Sequence, residues 1–117
     1  MKENILLEKS FVFAIRVVKA YKYLVEEKKE FVLSKQFLRS GTSIGANSEE
    51  AMGGQSKADF VSKISIAYKE ARETKYWIRL LNATDYFGNT QAKSLLDDLE
   101  ELLKIIGKIQ ITSKNNS

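Results

Sequence analysis

The sequence contains no cysteine, no histidine and no proline. Without cysteine the chain forms neither disulfide bonds nor thiolate metal sites, which is compatible with a reducing compartment. Without histidine it lacks the commonest general base and the commonest transition-metal ligand, so much hydrolase chemistry is excluded. The absence of proline over 117 residues leaves long helices uninterrupted, and it favours an all-α protein.

Long apolar runs are also missing, because no 18-residue stretch is apolar enough to cross a membrane. The first ten residues mix charges of both signs and lack the pattern of a signal peptide. We therefore expect a cytoplasmic protein with no membrane partner. The hydrophobic content of 44% suffices for a packed core, and the length predicts a single domain over residues 1–117. The net charge of +4 only weakly favours an anionic partner.

Apolar residues recur at helical spacing in four segments. The pattern predicts helices at about residues 8–27, 32–52, 57–84 and 90–112. Gly53 and Gly54 end the second segment, and Ser56 followed by Asp59 has the form of an N-terminal cap for the third. Because the connections are short, consecutive helices are expected to be antiparallel. The predicted fold is all-α, an up-down-up-down antiparallel four-helix bundle.

The first segment is apolar around most of its circumference. One stripe along it consists of Leu7, Phe11, Ala14, Val18, Tyr21 and Val25. A second stripe beside the first consists of Phe13, Val17, Ala20 and Leu24. One neighbouring helix cannot cover both stripes, and a chain this short is expected to share such a helix with another subunit. A homo-oligomer is therefore predicted.

Small residues lie inside the second segment, where Gly41 and Gly45 are about one turn apart. Each interior glycine costs about 1 kcal/mol relative to alanine in a helix. The missing Cβ atoms, however, let another helix approach closely. The spacing matches neither a P-loop nor a dinucleotide-binding fingerprint, and no strand precedes it. We interpret the pair as a close helix contact.

Glu70 and Glu73 of the third segment share a face with Trp77. Three interpretations stay open: solvated carboxylates, a buried polar network, or a metal or catalytic site. The buried network would consist of Arg39, Asn47, Glu50, Glu70 and Glu73. Magnesium could be held by the same carboxylates with Asn47, whereas a di-iron pattern lacks its histidines. We predict no catalytic residue, no metal site and no cofactor.

Basic residues form rows along two of the predicted helices. The first helix carries Arg16, Lys19 and Lys22. The third carries Lys69, Arg72, Lys75 and Arg79, with Tyr76 among them. Such rows with an occasional aromatic can bind a phosphate backbone, and the alternative interpretation is an ordinary solvated face. A ring that repeats the rows would multiply their positive field.

Three segments carry a family resemblance. They are FAIRVVKAYKYL at residues 13–24, LRSGTSIGAN at 38–47 and QSKADFVSKISIAYKEARETKYWIRLL at 55–81. Their order and spacing resemble those of the small four-helix bundle proteins encoded inside intervening sequences of bacterial 23S ribosomal RNA genes. The chain differs at Ser48, where an aliphatic residue is more usual, and in its mild basicity.

The resemblance implies a four-helix bundle, commonly a homopentameric ring, with no established enzymatic activity and a proposed role in nucleic-acid binding. The similar accessory variability determinant proteins of retroelements contact nucleic acid and a reverse transcriptase through a basic ring surface. We therefore expect a non-enzymatic oligomer that binds RNA or DNA. The alternative is a protein-interaction scaffold that binds no nucleic acid.

Overall fold

The computed structural model describes residues 4–115, which form four α-helices. They are α1 (Ile5–Glu26), α2 (Leu33–Met52), α3 (Lys57–Ala83) and α4 (Asn89–Asn115). Each helix packs against the next along the chain, and α4 also packs against α1. Within these residues no Cα atom of α1 lies within 8 Å of one in α3, and the same holds for α2 and α4, so each of these pairs lies diagonally. The predicted all-α bundle is confirmed.

Consecutive helices run antiparallel, as contacts between α1 and α2 illustrate. Gly45 lies beside Ser10, while Gly41, earlier in α2, lies beside Val17, later in α1. The helix bounds differ from the predicted ones by at most three residues, at the start of α1 and the end of α4. Ser113, in the last turn of α4 and beyond the predicted end of that helix, lines a groove together with Val61 and Ser65 of α3.

The core is built from one stripe of each helix. The stripe of α1 is Leu6, Ser10, Phe13, Val17, Ala20 and Leu24. That of α2 includes Phe37, Gly41, Ile44, Ser48 and Ala51. The stripe of α3 is Ile64, Ala67, Ala71, Thr74, Ile78 and Leu81, and α4 supplies Ala92, Leu95, Leu99, Leu102 and Ile106. The spacing of apolar and small residues by four and three along the sequence predicts these faces of α2, α3 and α4, because helical periodicity places such residues on one side of a helix.

Only one of the two apolar stripes of α1 faces the core. The stripe that contains Phe13 and Val17 faces the core, where both side chains are at most 1% exposed. The other stripe points outward and sideways, and it leaves Phe11 65% and Val18 37% exposed. Part of the apolar surface of α1 is therefore left uncovered by the described part of the subunit.

The close contact expected at Gly41 is present. A Cβ atom added there would lie 2.7 and 2.8 Å from the two Cγ atoms of Val17. At Gly45 it would lie 3.3 Å from the hydroxyl oxygen of Ser10. The two glycines therefore let α1 and α2 approach closely, and they place Val17 against bare backbone.

Buried hydroxyl groups in the core are satisfied by backbone carbonyls. Ser48 is fully buried, and its hydroxyl donates to the carbonyl of Ile44 at 2.8 Å. The hydroxyl of Thr74 lies 2.7 Å from the carbonyl of Glu70 and 2.9 Å from the hydroxyl of Ser40. A serine at position 48 is thus compatible with the core, because its polar group costs little once it is hydrogen-bonded.

The first turns of the helices are capped by side chains. Ser56 accepts a hydrogen bond from the backbone N–H of Asp59 at 3.1 Å, which confirms the predicted cap of α3. The cap of α2 is different, because the carboxylate of Glu30 accepts from the N–H groups of Leu33 at 3.1 Å and Ser34 at 2.6 Å. Glu30 is 8% exposed and precedes the helix by three residues. It satisfies N–H groups that no serine, threonine or asparagine is placed to reach.

None of the helices in residues 4–115 is long and apolar enough to span a membrane.

Candidate functional site

Arg39 of α2 pairs with two carboxylates of α3. Its Nη1 donates to both carboxylate oxygens of Glu70 at 3.2 Å, and its Nη2 donates to Oε2 of Glu73. The indole Nε1 of Trp77 donates to the same oxygen at 2.9 Å. The Arg39 side chain is 48% exposed and that of Glu70 is 18% exposed. The cluster therefore bridges the two helices at the edge of their contact and not inside the core, where the buried-network interpretation would place it.

The protonation states of this cluster follow from its hydrogen bonds. The Trp77 hydrogen bond lowers the pKa of Glu73, burial opposes that effect, and the hydrogen bond and charge of Arg39 lower the pKa further. The hydrogen bond to Glu73 is also the main reason why the pKa of Arg39 is raised. Both groups are charged at neutral pH, so Glu73 is poorly suited to act as a general base.

Asn47 and Glu50 do not join the cluster. The Asn47 side chain donates to the carbonyl of Ser43 at 2.9 Å, and Glu50 pairs with Lys63 at 2.7 Å. The physical reason is the rise of the helix, because eight residues separate Asn47 from Arg39, which is about 12 Å along the axis. The prediction of a five-residue network is therefore wrong for Asn47 and Glu50. The magnesium alternative requires these two side chains to lie close to Glu70 and Glu73, and they do not. Residues 4–115 contain no group of three or more acidic side chains placed to hold a metal ion.

Two of the seven predicted basic residues are engaged by α4. Arg16 donates to the carboxylate of Asp98 at 2.6 Å, and to the hydroxyl oxygen of Ser94 at 2.9 Å. Lys75 pairs with Glu100 at 2.7 Å. The acidic residues of α4 thus neutralise the inner edge of each basic row, where the rows border that helix.

The other five basic residues are exposed and form no ion pair within the described part of the chain. They are Lys19, Lys22, Lys69, Arg72 and Arg79. Because α1 and α3 lie diagonally, their outward faces point to opposite sides of the bundle. One subunit therefore presents two separate basic surfaces instead of one.

The basic surface of α3 also contains an exposed aromatic ring. Tyr76 is 54% exposed, and its ring meets Trp77 edge to face, with a centroid distance of 5.1 Å and an interplanar angle of 71°. We call the set of Lys69, Arg72, Tyr76 and Arg79 the α3 outer face. It combines an aromatic ring with three cations that have no carboxylate partner in the part of the chain that the structure describes, and this combination can bind phosphates and bases.

A second exposed feature lies on α1 and is apolar. Phe11 is 65% exposed, Val12 57%, Ile15 42% and Val18 37%. These four residues form the α1 ridge. Contiguous exposed apolar side chains of this kind mark interaction surfaces in soluble proteins.

Comparison with known proteins agrees with this architecture and with the three motif segments. Residues 2–108 match the family described as 23S rRNA-intervening sequence protein. The chain belongs to this family. The match confirms the resemblance seen in the motifs and extends it into α4, which they did not cover.

A solved structure supports the same conclusion. The crystal structure of a protein of unknown function from the S23 ribosomal protein family of Bacteroides thetaiotaomicron VPI-5482 is 52% identical to this chain, with a TM-score of 0.90. The similarity covers 91% of this chain and 98% of that one. None of the curated proteins matches the sequence.

Proposed function

We propose that this protein is a non-enzymatic homo-oligomeric four-helix bundle that binds RNA or DNA through basic surfaces. The observation that carries the proposal is the α3 outer face, where Lys69, Arg72 and Arg79 have no carboxylate partner among residues 4–115. The nearby carboxylate of Glu73 is already held by Arg39 and Trp77. Arg39 offsets the charge of one of the two carboxylates Glu70 and Glu73, so the three cations of the α3 outer face outweigh the negative charge that remains beside them.

Contacts of this kind bind phosphates and carry little sequence information. Each phosphate neutralised by lysine or arginine releases counterions, so the affinity falls with increasing salt concentration. The net charge of +4 is modest for one subunit. Repetition of the same surface around an oligomer would raise the affinity, because several weak contacts then act on one strand.

The oligomer is supported by the α1 ridge, which is apolar and uncovered. A second copy of the chain is the occupant that we propose for it, and the family resemblance implies a pentameric ring.

The ridge also favours a second candidate function, in which the ring is a scaffold that docks another protein through this surface. We further propose that the protein acts in the cytoplasm and needs no cofactor.

The test measures binding to a mixed pool of RNA and DNA at increasing salt concentrations. We expect affinity that falls steeply with salt and decreases strongly when Lys69 and Arg72 are both replaced by glutamate. The matched control is Lys104→Glu with Lys108→Glu, which changes the charge equally on the exposed face of α4. The control variant should lose much less affinity, because the proposal makes binding depend on the position of the positive charges and not only on the net charge of the protein.

The pair Lys19→Glu and Lys22→Glu tests the separate surface on α1. A loss of affinity there equal to the α3 loss would show that both faces of the ring bind. An absence of detectable binding at about 50 mM salt, where phosphate contacts are strong, would contradict the proposal and leave the scaffold function.

A further inference from the structure

We propose that the α3 outer face binds unpaired nucleotides, with a base stacked on Tyr76 and phosphates held by the cations on either side. This inference rests on the proposed function and names its ligand class, a single strand or an unpaired loop. It depends on the position, exposure and support of the Tyr76 ring.

The position follows from helical spacing. Lys69, Arg72, Tyr76 and Arg79 are separated by three, four and three residues, which keeps them on one side of α3. Arg72 lies about 6 Å before Tyr76 along the axis, and Arg79 lies about 4.5 Å after it. A base that stacks on the tyrosine therefore has a cation within reach of the phosphate on each side.

The Tyr76 ring is also supported by a contact with Trp77. Its edge-to-face contact with Trp77 covers part of the ring, and 54% of the residue stays exposed. Trp77 is itself fixed by its 2.9 Å hydrogen bond to Glu73, which Arg39 holds in turn. The chain of contacts orients the tyrosine before any ligand arrives, and this lowers the entropy lost on binding.

The aromatic ring distinguishes unpaired from paired ligands. Inside a duplex the faces of each base are covered by its neighbours, and exposing one requires unstacking. Cations alone would bind duplex phosphates, and Tyr76 would then contribute little. Unpaired bases offer a free π-face, to which aromatic stacking adds affinity without sequence preference.

The experiment uses fluorescence anisotropy with the full chain, a labelled mixed-sequence single strand and the duplex of the same sequence. We expect the wild type to bind the single strand more tightly. Tyr76→Ala should weaken single-strand binding by roughly 5- to 100-fold, the range expected for one stacked base, and leave duplex binding nearly unchanged. Its salt dependence should stay the same, because stacking releases no counterions.

Two variants separate stacking from other roles of this side chain. Tyr76→Phe keeps the ring and should bind like the wild type, whereas a loss equal to that of Tyr76→Ala would overturn the stacking inference in favour of a hydroxyl contact. Phe31→Ala removes an aromatic side chain that is 52% exposed in the connection before α2, and it should leave affinity unchanged.

Other outcomes separate this inference from the proposed function. The wild type could bind the single strand and the duplex equally, with salt-dependent affinities that Tyr76→Ala leaves unchanged. That result would overturn the inference and leave the proposed function intact. Failure of the wild type to bind either ligand would overturn both. Circular dichroism of each variant checks that the helices persist, which is expected because Tyr76 is exposed.

Discussion

Arg39 is the residue whose side chain connects α2 to Glu70 and Glu73 of α3. Since the guanidinium is half exposed, water screens the pairs, and we expect Arg39→Ala to lower the free energy of unfolding by roughly 1 kcal/mol. Arg39→Met should lower it less, because methionine replaces the apolar stem that covers the helix contact. Urea unfolding followed by the fluorescence of Trp77, the single tryptophan, measures both.

The control for Arg39 is Lys93→Ala, which breaks a fully exposed pair with Asp97 within α4. It should change stability by about 0.5 kcal/mol or less. If the Arg39→Ala variant were as stable as the wild type, the cluster would contribute nothing to the free energy of unfolding. A loss above about 3 kcal/mol would instead indicate a pair that behaves as buried.

Glu30 has a different role at the same scale, because its carboxylate caps α2. Burial alone would raise its pKa, but hydrogen bonds from the backbone N–H groups of Ser34, Leu33 and Val32 lower the pKa below the usual range. A lowered pKa in the folded state stabilises the fold fully above the unfolded value of about 4.3. The stabilisation is lost as the pH falls through the lower folded value.

We therefore expect Glu30→Gln to be less stable than the wild type by about 1 kcal/mol at neutral pH. The difference should shrink as the pH falls below about 4, where the wild-type carboxyl also becomes neutral. Unfolding in urea at several pH values and one protein concentration gives this difference. Glu49→Gln, on the exposed side of α2, is the control and should show no such trend. A difference that stays constant from neutral to acid pH would refute the capping role of the charge.

The α1–α2 contact gives a prediction at the scale of the helices. Gly41→Ala improves helix propensity by about 1 kcal/mol, but its Cβ would lie 2.7 Å from Val17. Overpacking of this kind costs about 1–3 kcal/mol, and the branched side chain of Val17 is itself fully buried. We expect a net loss of stability, measured by thermal or urea unfolding.

Gly107 of α4 is the matched control, since an added Cβ would meet nothing within 4 Å. Gly107→Ala should therefore gain up to about 1 kcal/mol from helix propensity. In the double variant Val17→Ala with Gly41→Ala, the loss should be smaller than the sum of the single losses, because the clash is gone. Strict additivity would argue against the close contact.

At the scale of the whole molecule, the α1 ridge predicts self-association. Multi-angle light scattering should give a mass of several subunits of 13.3 kDa each, and five if the ring is pentameric. Ile15→Glu with Val18→Glu should convert the assembly to monomers, because buried unpaired charge is costly.

Ile111→Glu serves as the control for this experiment. It places a negative charge on an apolar residue of α4 that is 63% exposed and lies outside the ridge, and it should leave the mass unchanged. A wild-type mass equal to one subunit at micromolar concentration would rule out the oligomer. Dissociation by the control as well would show that the ridge is not the specific interface.

The four helices, their antiparallel order and three of the four core faces can be predicted from the sequence. These features follow from short-range chemistry: periodicity, the cap at Ser56 and the small residues at Gly41 and Gly45. The pairing of Arg39 with Glu70 and Glu73 could also be anticipated, since apolar neighbours on both helices suggested a shared edge. The cap at Glu30 escaped sequence reasoning, because a glutamate three residues before a helix does not match the usual capping pattern.

Two features depend on the packing of the helices: which stripe of α1 enters the core, and which basic side chains of residues 4–115 form ion pairs. Sequence spacing shows that Arg16 belongs to a basic row, but its partner Asp98 is 82 residues away. The same holds for Asn47 and Glu50, whose neighbours depend on how far α2 and α3 overlap. Hydrophobic periodicity specifies which face of one helix is buried. Ion pairs and the exposure of side chains depend on which other helix lies beside that face, and the packing of the whole bundle determines the neighbour.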